Sequence, residues 1–253
     1  MRKTLQLRVR KLHRYLGLVL GVQFLLWTAG GLYFSWSNMD EIHGDHQRHP
    51  APPLRVSGPL ASPSTVLDHL QTQHPLLAVV SVQVVEVLGE PLYQVVYQPG
   101  PGRPLGVQLA LARTGALRGP LSRAEAIALA KSHFHGPAEV AWVEYLTAAG
   151  AHHEYRENPL PAYAVRFKHP SRTTVYVAAQ LGTVQKFRND KWRVFDFLWM
   201  LHTMDYSSRD NFGNVLLRAF SGFGLLTIAS GFGLYLLSSR TLRRLRRKAG
   251  TPA

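Results

Sequence analysis

Two long uncharged segments constrain the fold of this chain more than any other feature of its sequence. Residues 15–39 contain no charged side chain over 25 positions, and residues 219–239 contain none over 21. A helix of about 20 apolar residues is long enough to cross the hydrocarbon core of a bilayer. We therefore predict two transmembrane helices, the first at 15–39 and the second at 214–239.

Basic clusters at both ends predict how these helices are oriented. Residues 1–14 and 240–253 each contain six Lys or Arg residues and no acidic one, whereas the rest of the chain has 17 basic and 15 acidic residues. Lys and Arg beside a span remain on the cytoplasmic side. We expect both termini to be cytoplasmic and residues 40–213 to be outside. Since the net charge of +14 is concentrated in the tails, it does not indicate nucleic-acid binding.

Each apolar segment has an alternative interpretation. The first could be a cleaved signal peptide, but its apolar stretch is too long for a typical one, and YFSWSNMDEIHG contains no small-x-small cleavage site. The second could be a buried helix of a soluble domain, but its length and the following RRLRRK favour a span. The sequence therefore favours an uncleaved anchor and a second transmembrane helix.

The segment between the spans contains an internal repeat. A proline-containing linker (40–61) precedes two units, each of which opens with a serine-capped helical pattern, at Ser62 and at Ser122. Short β-branched runs follow and end at a glycine turn, Gly115 or Gly182. The serines are 60 positions apart and the glycines 67, so the second unit has about seven additional residues, in TAAGAHHEYRENP. We predict one helix plus a three-stranded antiparallel meander, twice.

An amphipathic helix is predicted to lead from the second unit to the second span. In WRVFDFLWMLHTMDY, Phe195, Trp199, His202 and Tyr206 recur at helical spacing and would form one aromatic face. The fold class is then membrane α plus α+β. In chain order the predicted segments are a basic tail (1–14), transmembrane helix 1 (15–39), a linker (40–61), unit 1 (62–120), unit 2 (121–190), an interfacial helix (191–213), transmembrane helix 2 (214–239) and a second basic tail (240–253).

The absent motifs exclude most kinds of catalysis. The chain has no cysteine, which rules out disulfides, cysteine-ligated zinc, iron–sulfur clusters and covalently attached c-type haem. It also lacks G-x-S-x-G, H-E-x-x-H, P-loop and dinucleotide-binding motifs. An enzymatic role is at most that of a redox subunit with an external electron donor. The candidate residues are histidines, because neutral imidazole ligates haem iron and transition metals.

Phrases beside both predicted spans resemble a known family. RKLHRYLGLVLG with GLYFSW, and NDKWRVFDFLWMLHTMDY with NFGNVLLRAFSGFGLLTIASG, resemble the PepSY-associated transmembrane family of bacterial inner membranes. The two helix-plus-meander units resemble the PepSY domain. The resemblance extends from Arg10 to about Leu245. It implies an inner-membrane protein with a tandem PepSY-like domain in the periplasm.

The resemblance also implies a link to iron. Members of that family are often associated with iron uptake, and some are fused to or paired with flavin reductase modules. Larger members with four spans resemble siderophore-iron reductases that carry b-type haem between histidines. With two spans, this chain would need a homodimer or a partner membrane protein, joined through its glycine-rich spans, to complete such a bundle. The Asp that usually precedes the turn glycine by four residues is replaced here by Leu111 and Ala178.

His13 is a candidate haem ligand at the cytoplasmic start of the first span. On a helix, His13, Gly17 and Gly21 share one face, which a flat porphyrin or another helix could approach closely. Arg10 and Arg14 are near enough to meet haem propionates. The alternative is an interfacial histidine beside a Gly-x-x-x-Gly packing face.

His202 is the second candidate haem ligand, on the outer side. Its aromatic face could line one wall of a haem site, or it could lie among lipid headgroups. From His13 to Trp36 is 23 residues, or about 35 Å along a helix, so His13 and His202 cannot share one haem. In a two-fold dimer, four spans could hold an inner haem between two copies of His13 and an outer haem at His202.

A third set of histidines follows the first span directly. His43, His46 and His49 form H-G-D-H-Q-R-H, in which imidazoles at a spacing of three could share a helical face and bind a metal ion. They could also supply the outer partner of His202. Short histidine-containing linkers are more often simply solvated.

The sequence leaves three functional hypotheses. The first is a haem-binding or haem-partnering redox subunit that helps to reduce siderophore iron. The second is a regulatory module whose PepSY-like pair binds a periplasmic protein, since PepSY units are similar to segments that inhibit secreted peptidases. The third is an anchor or assembly factor for another membrane enzyme. Bound haem distinguishes the first hypothesis from the other two.

Overall fold

The chain folds into two compact units. The computed structural model describes residues 2–50, 54 and 58–239, so the predicted tail at 240–253 lies outside the described residues. The helical unit combines Met1–Trp36 with Phe195–Ala253, and the sheet unit is Ser37–Val194. The helices are α1 (Arg2–Trp36), α2 (Met39–His43), α3 (Pro63–Gln73), α4 (Arg123–His133), α5 (Asp190–Thr203) and α6 (Val215–Ser238).

Two helices of the helical unit are long enough and apolar enough to cross a membrane. The qualifying stretches are Leu7–Trp36 and Val215–Leu236, each with a mean hydropathy of 1.5. Only 17% of the apolar window of the first and 6% of that of the second are buried, whereas a core helix of a soluble domain is mostly buried. The bounds of α6 agree with the predicted second span at 214–239.

The first apolar helix differs from its predicted bounds of 15–39. It includes the basic residues from Arg2 onward and ends at Trp36, and a separate short helix, α2, follows. Asn38 is the reason for the break, because its side chain accepts a hydrogen bond from the backbone N–H of Asp40 at 2.9 Å and so caps α2. A helix that starts at a new cap is no longer continuous with the one before it.

Glycines of α6 let the two apolar helices pack closely and antiparallel. The ring of Phe24 lies 5.5 Å from that of Phe220, and His13 lies near the opposite end of α6, beside Gly231. A Cβ atom placed on Gly224 would be 3.3 Å from Phe24, and one on Gly231 would be 3.3 Å from His13. Such small residues permit the close helix contacts that stabilise helix pairs in lipid.

The predicted interfacial helix at 191–213 ends ten residues early. The observed α5 stops at Thr203, and Met204 adopts a positive φ of 52°. Gln23 of α1, which is 8% exposed, donates from Nε2 to the backbone carbonyl of Leu201 at 2.7 Å. This hydrogen bond satisfies one of the carbonyl groups that a helix end leaves open, and it fixes the end of α5 beside the middle of α1.

The Asp205 carboxylate organises the loop between α5 and α6. Its hydrogen-bond donors are side-chain or backbone groups of Ser207, Ser208 and Asn211. These bonds, above all those from the hydroxyls of Ser208 and Ser207, hold the pKa of Asp205 far below its usual range. Arg209 of the same loop pairs with Asp196 of α5, whose side chain is 5% exposed. The loop is therefore tied back onto α5.

The sheet unit contains two α+β repeats, as predicted, but each repeat has four strands rather than three. Each predicted third strand turns back at a glycine, Gly115 with φ 74° or Gly182 with φ 68°, and so forms two strands. Both sheets are antiparallel with neighbouring strands in chain order. The strands are β1 (Ala78–Val87), β2 (Glu90–Gln98), β3 (Gly106–Leu111), β4 (Leu117–Arg118), β5 (Val140–Leu146), β6 (Ala162–Phe167), β7 (Thr174–Ala178) and β8 (Thr183–Arg188).

The two repeats share a hydrophobic core. Leu92 of β2 packs in one cluster with Leu129 of α4 and Val165 of β6. Val95, on the opposite face of β2, packs in another cluster with Val66 of α3. Because alternate residues of a strand face opposite sides of its sheet, β2 is covered on both faces. The two repeats therefore form one domain rather than two independent ones.

Part of the predicted linker at 40–61 is ordered against the second repeat. The Oε1 atom of Gln47 accepts a hydrogen bond from Thr173 Oγ1 at 2.6 Å. Asn189, which is 1% exposed, donates from Nδ2 to the backbone carbonyl of Glu41 at 2.7 Å. The Asn189–Glu41 hydrogen bond thus joins the two ends of the sheet unit to each other.

Candidate functional site

His13 is held against α6 through one of its two ring nitrogens. Its Nδ1 atom lies 2.8 Å from Ser230 Oγ and 3.2 Å from the carbonyl oxygen of Thr227. The Ser230 hydroxyl donates to that carbonyl at 2.7 Å, since a carbonyl oxygen only accepts. The hydroxyl oxygen is then left to accept from His13, so Nδ1 carries a proton, and in the neutral imidazole the free lone pair is on Nε2. Metal-ligating histidines are commonly oriented in this way.

The surface of α1 next to His13 is open. A Cβ atom placed on Gly17 or Gly21 would meet no heavy atom of the described residues within 4 Å. These glycines lie one and two helical turns after His13. Arg10 and Arg14, on the same part of α1, are exposed. The structure therefore leaves the glycine face and both cations accessible to a group outside the chain.

His202 lies in an aromatic cage within the helical unit. Its ring centroid is 5.5 Å from that of Trp27, 5.9 Å from that of Phe34 and 6.2 Å from that of Trp199. Phe195 stacks on Trp199 at 6.0 Å, so the aromatic face predicted for α5 forms over these residues. The face packs on α1, through Phe34 and Trp27.

Tyr206, the fourth residue predicted for that face, does not belong to it. Tyr206 follows the end of α5 at Thr203 and is 47% exposed. Tyr206 would lie on the same face as His202 only if the helix continued to residue 206. The positive φ of Met204 ends the helix before that point. The cage is completed by residues of α1 instead.

Two buried polar atoms of the cage have no hydrogen-bond partner among the described residues. They are Nδ1 of His202 and Nε1 of Trp27. Leaving a buried polar group unsatisfied costs about 1–3 kcal/mol, and each such group in a folded protein calls for a physical explanation. An imidazole with an unsatisfied nitrogen in an apolar cage is suited to ligate or hydrogen-bond a group that enters the cage.

The structure does not bring His13 and His202 together. Trp27, which contacts His202, is 14 residues after His13, or about 21 Å along a helix at about 1.5 Å per residue. The predicted separation was measured from His13 to Trp36 and is longer. The observed one is shorter because the end of α5 lies beside Gln23 of α1. Two nitrogens on one metal are each about 2 Å from it, so His13 and His202 of one chain cannot share an ion.

The three histidines that follow α1 do not share a helical face. His43 ends α2, His46 lies in a short 3-10 helix, and His49 lies in an extended segment, because Gly44 with φ 78° ends α2. The ring of His49 lies 4.9 Å from that of His135. Among the described residues, no group of three His, Asp or Glu side chains is placed to hold a metal ion.

Sequence reasoning missed the residues that position both candidate ligands. Ser230 and Thr227 are polar residues three positions apart in an apolar segment. This spacing places them on one helical face, and it could have predicted a polar contact there. The contribution of Trp27 and of Gln23 depends on where α5 ends. No local pattern in the sequence gives that point.

The residues around His13 fit a b-type haem. Such a group needs a neutral imidazole nitrogen, a flat surface against which the porphyrin can lie, and positive charge for its propionates. His13 offers Nε2, the open glycines offer the surface, and Arg10 and Arg14 offer the charge. His202 offers an imidazole and an apolar, water-excluding environment.

Comparison with protein-family models, with curated proteins and with solved structures gives no match to this chain. What is established for this chain is therefore its architecture alone. Two helices are apolar and long enough to span a membrane, and a domain with two antiparallel sheets lies between them in the sequence.

Proposed function

We propose that this chain is a two-pass protein of a bacterial inner membrane that binds b-type haem and serves as a redox subunit in the reduction of siderophore iron. The observation that carries the proposal is the hydrogen-bonded Nδ1 of His13, which leaves Nε2 free beside an open glycine face. The basic residues at the start of α1 support a cytoplasmic N-terminus. The resemblance to the PepSY-associated transmembrane family supports the location and the link to iron uptake.

Each residue of the proposed site has a separate task. His13 would ligate the iron, and Ser230 and Thr227 orient its ring. Arg10 and Arg14 would neutralise the propionates. Haem, when bound, supplies reversible one-electron transfer. At the other site, the aromatic rings around His202 would keep water away from a bound redox group, and the lower local dielectric constant would tune it.

A second copy of the chain would complete the inner site. One chain presents a single His13, whereas b-type haem held between histidines takes two. Gly17 and Gly21 leave room for another helix to approach α1 closely, and a two-fold axis there would place two His13 residues face to face. The electron donor would be a separate protein, since the chain has no nucleotide-binding motif.

A visible spectrum tests the proposal directly. The full-length protein would be produced with added haem precursor, purified in detergent, and measured as a reduced-minus-oxidised difference. We expect b-type bands that weaken in both His13→Ala and His202→Ala and persist in His152→Ala, a control at an exposed position. Oxidation of the reduced protein by a ferric siderophore would then test the substrate. A folded protein without haem under these conditions overturns the proposal.

A cleft in the sheet unit favours a second candidate function, the binding of a periplasmic protein or peptide. The cleft has a volume of about 580 Å³ and is lined by Val85, Leu129, His133 and Val184 among others. This volume is typical of ligand sites, and PepSY units are similar to peptidase-inhibiting segments. A photo-crosslinking amino acid at Ser132, which lines the cleft, should capture one discrete partner in cells. The same amino acid at exposed Gln71 should not.

A further inference from the structure

A second concavity in the sheet unit carries an excess of positive charge. It has a volume of about 360 Å³, and its walls include Arg48, Lys186, Arg188 and Trp192, with Asp45 as its acidic residue. We call this concavity the basic pocket. Neither the proposed redox site nor the larger cleft explains why basic side chains should converge here.

Local structure places the three cations together. Lys186 and Arg188 are two positions apart on β8, so their side chains leave the same face of the strand. Arg48 reaches the pocket because the chain turns at Gly44, where φ is 78°. A Cβ atom on that glycine would be 2.9 Å from Phe187 Cβ, so only glycine allows the turn to pack so closely on β8.

The charge of the pocket is poorly balanced by its own acid. The Nε atom of Arg48 lies 3.9 Å from Asp45 Oδ1, which is too long for a hydrogen bond, and both side chains are more than a third exposed. Within the described part of the chain, Lys186 has no ion-pair partner. Its partial burial and then the charges of Arg188 and Arg48 lower the pKa of Lys186. Like charges held together in this way are stabilised by an anion.

Aromatic rings hold the two guanidinium groups in place. The Cζ atom of Arg188 lies 4.0 Å from the ring centroid of Trp192, and that of Arg48 lies 4.9 Å from the ring centroid of Phe187. Guanidinium groups that are already oriented lose less conformational entropy when they bind a ligand. Arg188 already donates from Nε to the backbone carbonyl of Glu154 at 3.0 Å and from Nη1 to that of Phe187 at 3.4 Å, so it contributes chiefly positive charge. The guanidinium group of Arg48 and the ammonium group of Lys186 are the natural donors to a compact oxyanion.

The basic pocket lies where the chain enters and leaves the sheet unit. The hydrogen bond between Asn189 and Glu41 joins these two ends. Trp192 is three residues before Phe195, and His43, which also lines the pocket, is seven residues after Trp36. The first of these segments therefore lies a few residues after α1, and the second leads directly into the helical unit at Phe195. If α1 spans a membrane, phospholipid headgroups are abundant anions beside its ends.

We propose that the basic pocket binds a phosphate group through Arg48 and Lys186, with Arg188 adding positive charge. Phosphate offers several oxygen acceptors on one small anion, which suits converging guanidinium and ammonium donors. The group has two sources, a phospholipid headgroup or free phosphate. Only the lipid source depends on the proposed membrane location, and neither source depends on haem binding.

Phosphorus NMR line widths test the site with either source. The full-length protein would be delipidated into maltoside micelles, which contain no phosphorus, and titrated separately with inorganic phosphate and with short-chain phosphatidylglycerol. We expect binding that weakens at least tenfold in both Lys186→Gln and Arg48→Gln. Binding should be unchanged in Lys131→Gln, which removes an exposed lysine of α4 outside the pocket. Lys186→Arg should retain binding, because it keeps the charge.

The titrations also decide the source of the phosphate group. Broadening by the lipid alone identifies a headgroup site, and equal broadening by both identifies a site for free phosphate. Unfolding temperatures confirm that each variant is folded. If neither compound binds the wild-type protein, or if the folded Lys186→Gln and Arg48→Gln variants bind as the wild type does, the proposal is overturned.

Discussion

The Nδ1 atom of His13 lies 2.8 Å from the Oγ atom of Ser230, although the two residues are 217 positions apart in the chain. This hydrogen bond joins α1 to α6 and also determines which nitrogen of His13 is free. A purely structural bond would stabilise only the helix pair. A bond that orients a ligand would also affect what His13 binds, and the two consequences can be measured separately.

Removing the Ser230 hydroxyl should weaken haem binding while leaving His13 in place. In Ser230→Ala the imidazole loses the acceptor that fixes its tautomer and orientation, and the loss of such a partner typically lowers ligand affinity by about 10–100-fold. Haem titration of the purified protein, followed in the visible spectrum, gives the affinity. Ser221→Ala, at an exposed position of the same helix, is the control and should bind as the wild type does. Equal affinities for both variants would mean that the bond only packs the helices.

Two glycines of α6 should respond in opposite ways to the same substitution. A Cβ atom on Gly231 would be 3.3 Å from His13 Cε1, whereas one on Gly222 would meet no described atom within 4 Å. Gly222→Ala should be neutral or stabilise the helix by up to about 1 kcal/mol through helix propensity. Gly231→Ala should have a lower unfolding temperature than Gly222→Ala, because the added methyl group displaces the His13 ring. Thermal unfolding by circular dichroism compares them, and equal temperatures would contradict the contact.

Filling the open face of α1 should prevent dimer formation without harming the chain itself. The Cβ atom that Gly17→Leu adds would meet no described atom of the same chain within 4 Å, so we expect the monomer to fold. The proposed dimer needs close approach at this face, and it should be lost together with the haem that it holds. Native mass spectrometry in detergent counts the copies. Gly233→Leu, which is equally open on α6, should leave the dimer intact if α1 forms the interface.

Local signals in the sequence predicted the elements of the fold better than their ends. Ser62 and Ser122 were identified as helix caps, and both accept a hydrogen bond from the backbone of the helix that they begin. Gly115 and Gly182 were identified as turns, but the strands after them were merged with those before them. In the first repeat the reason is that β4 has only two residues, which is too short for any alternation of apolar and polar residues to be recognised.

Tertiary contacts decided the parts of the candidate site that the sequence did not give. The aromatic periodicity of α5 was read correctly as far as His202, but Trp27 joins that face only because α5 ends where Gln23 meets Leu201. Gln47 was assigned to a linker, and its order comes from Thr173, which is 126 positions away. Such pairings depend on how distant elements pack, and no pattern within a short window contains them.

Asn189, which joins the two ends of the sheet unit, should be one of the positions where substitution lowers its stability most. In Asn189→Ala the Glu41 carbonyl loses its donor at 2.7 Å, and the backbone N–H of Trp192 loses its acceptor at 2.8 Å. Each buried group left without a partner costs about 1–3 kcal/mol, so we expect a loss of at least about 2 kcal/mol. Urea unfolding followed by tryptophan fluorescence measures it. Gln71→Ala, on the exposed side of α3, should change the free energy by no more than about 0.5 kcal/mol.

The cap of α4 should make the sheet unit less stable in acid. Burial alone would raise the pKa of Glu125, but hydrogen bonds from Ser122 and from Arg118 outweigh it and lower the pKa below 4.5. A carboxylate with a lowered pKa stabilises the fold above its unfolded-state pKa, and this contribution is lost as the pH falls through the folded-state value. Glu125→Gln should therefore cost about 1 kcal/mol at neutral pH. The cost should shrink as the pH falls below about 4.5, and it should be smaller in acid than at neutral pH.

Unfolding curves at both pH values separate this charge effect from lost packing. Arg118 contacts both carboxylate oxygens of Glu125, at 2.9 and 3.1 Å, and a glutamine of nearly the same size keeps the shape but not the charge. Glu144→Gln, at an exposed position of β5, is the matched control and should not alter the pH dependence. If Glu125→Gln lowers the free energy of unfolding as much in acid as at neutral pH, the carboxylate charge contributes nothing. The side chain would then stabilise α4 by its shape alone.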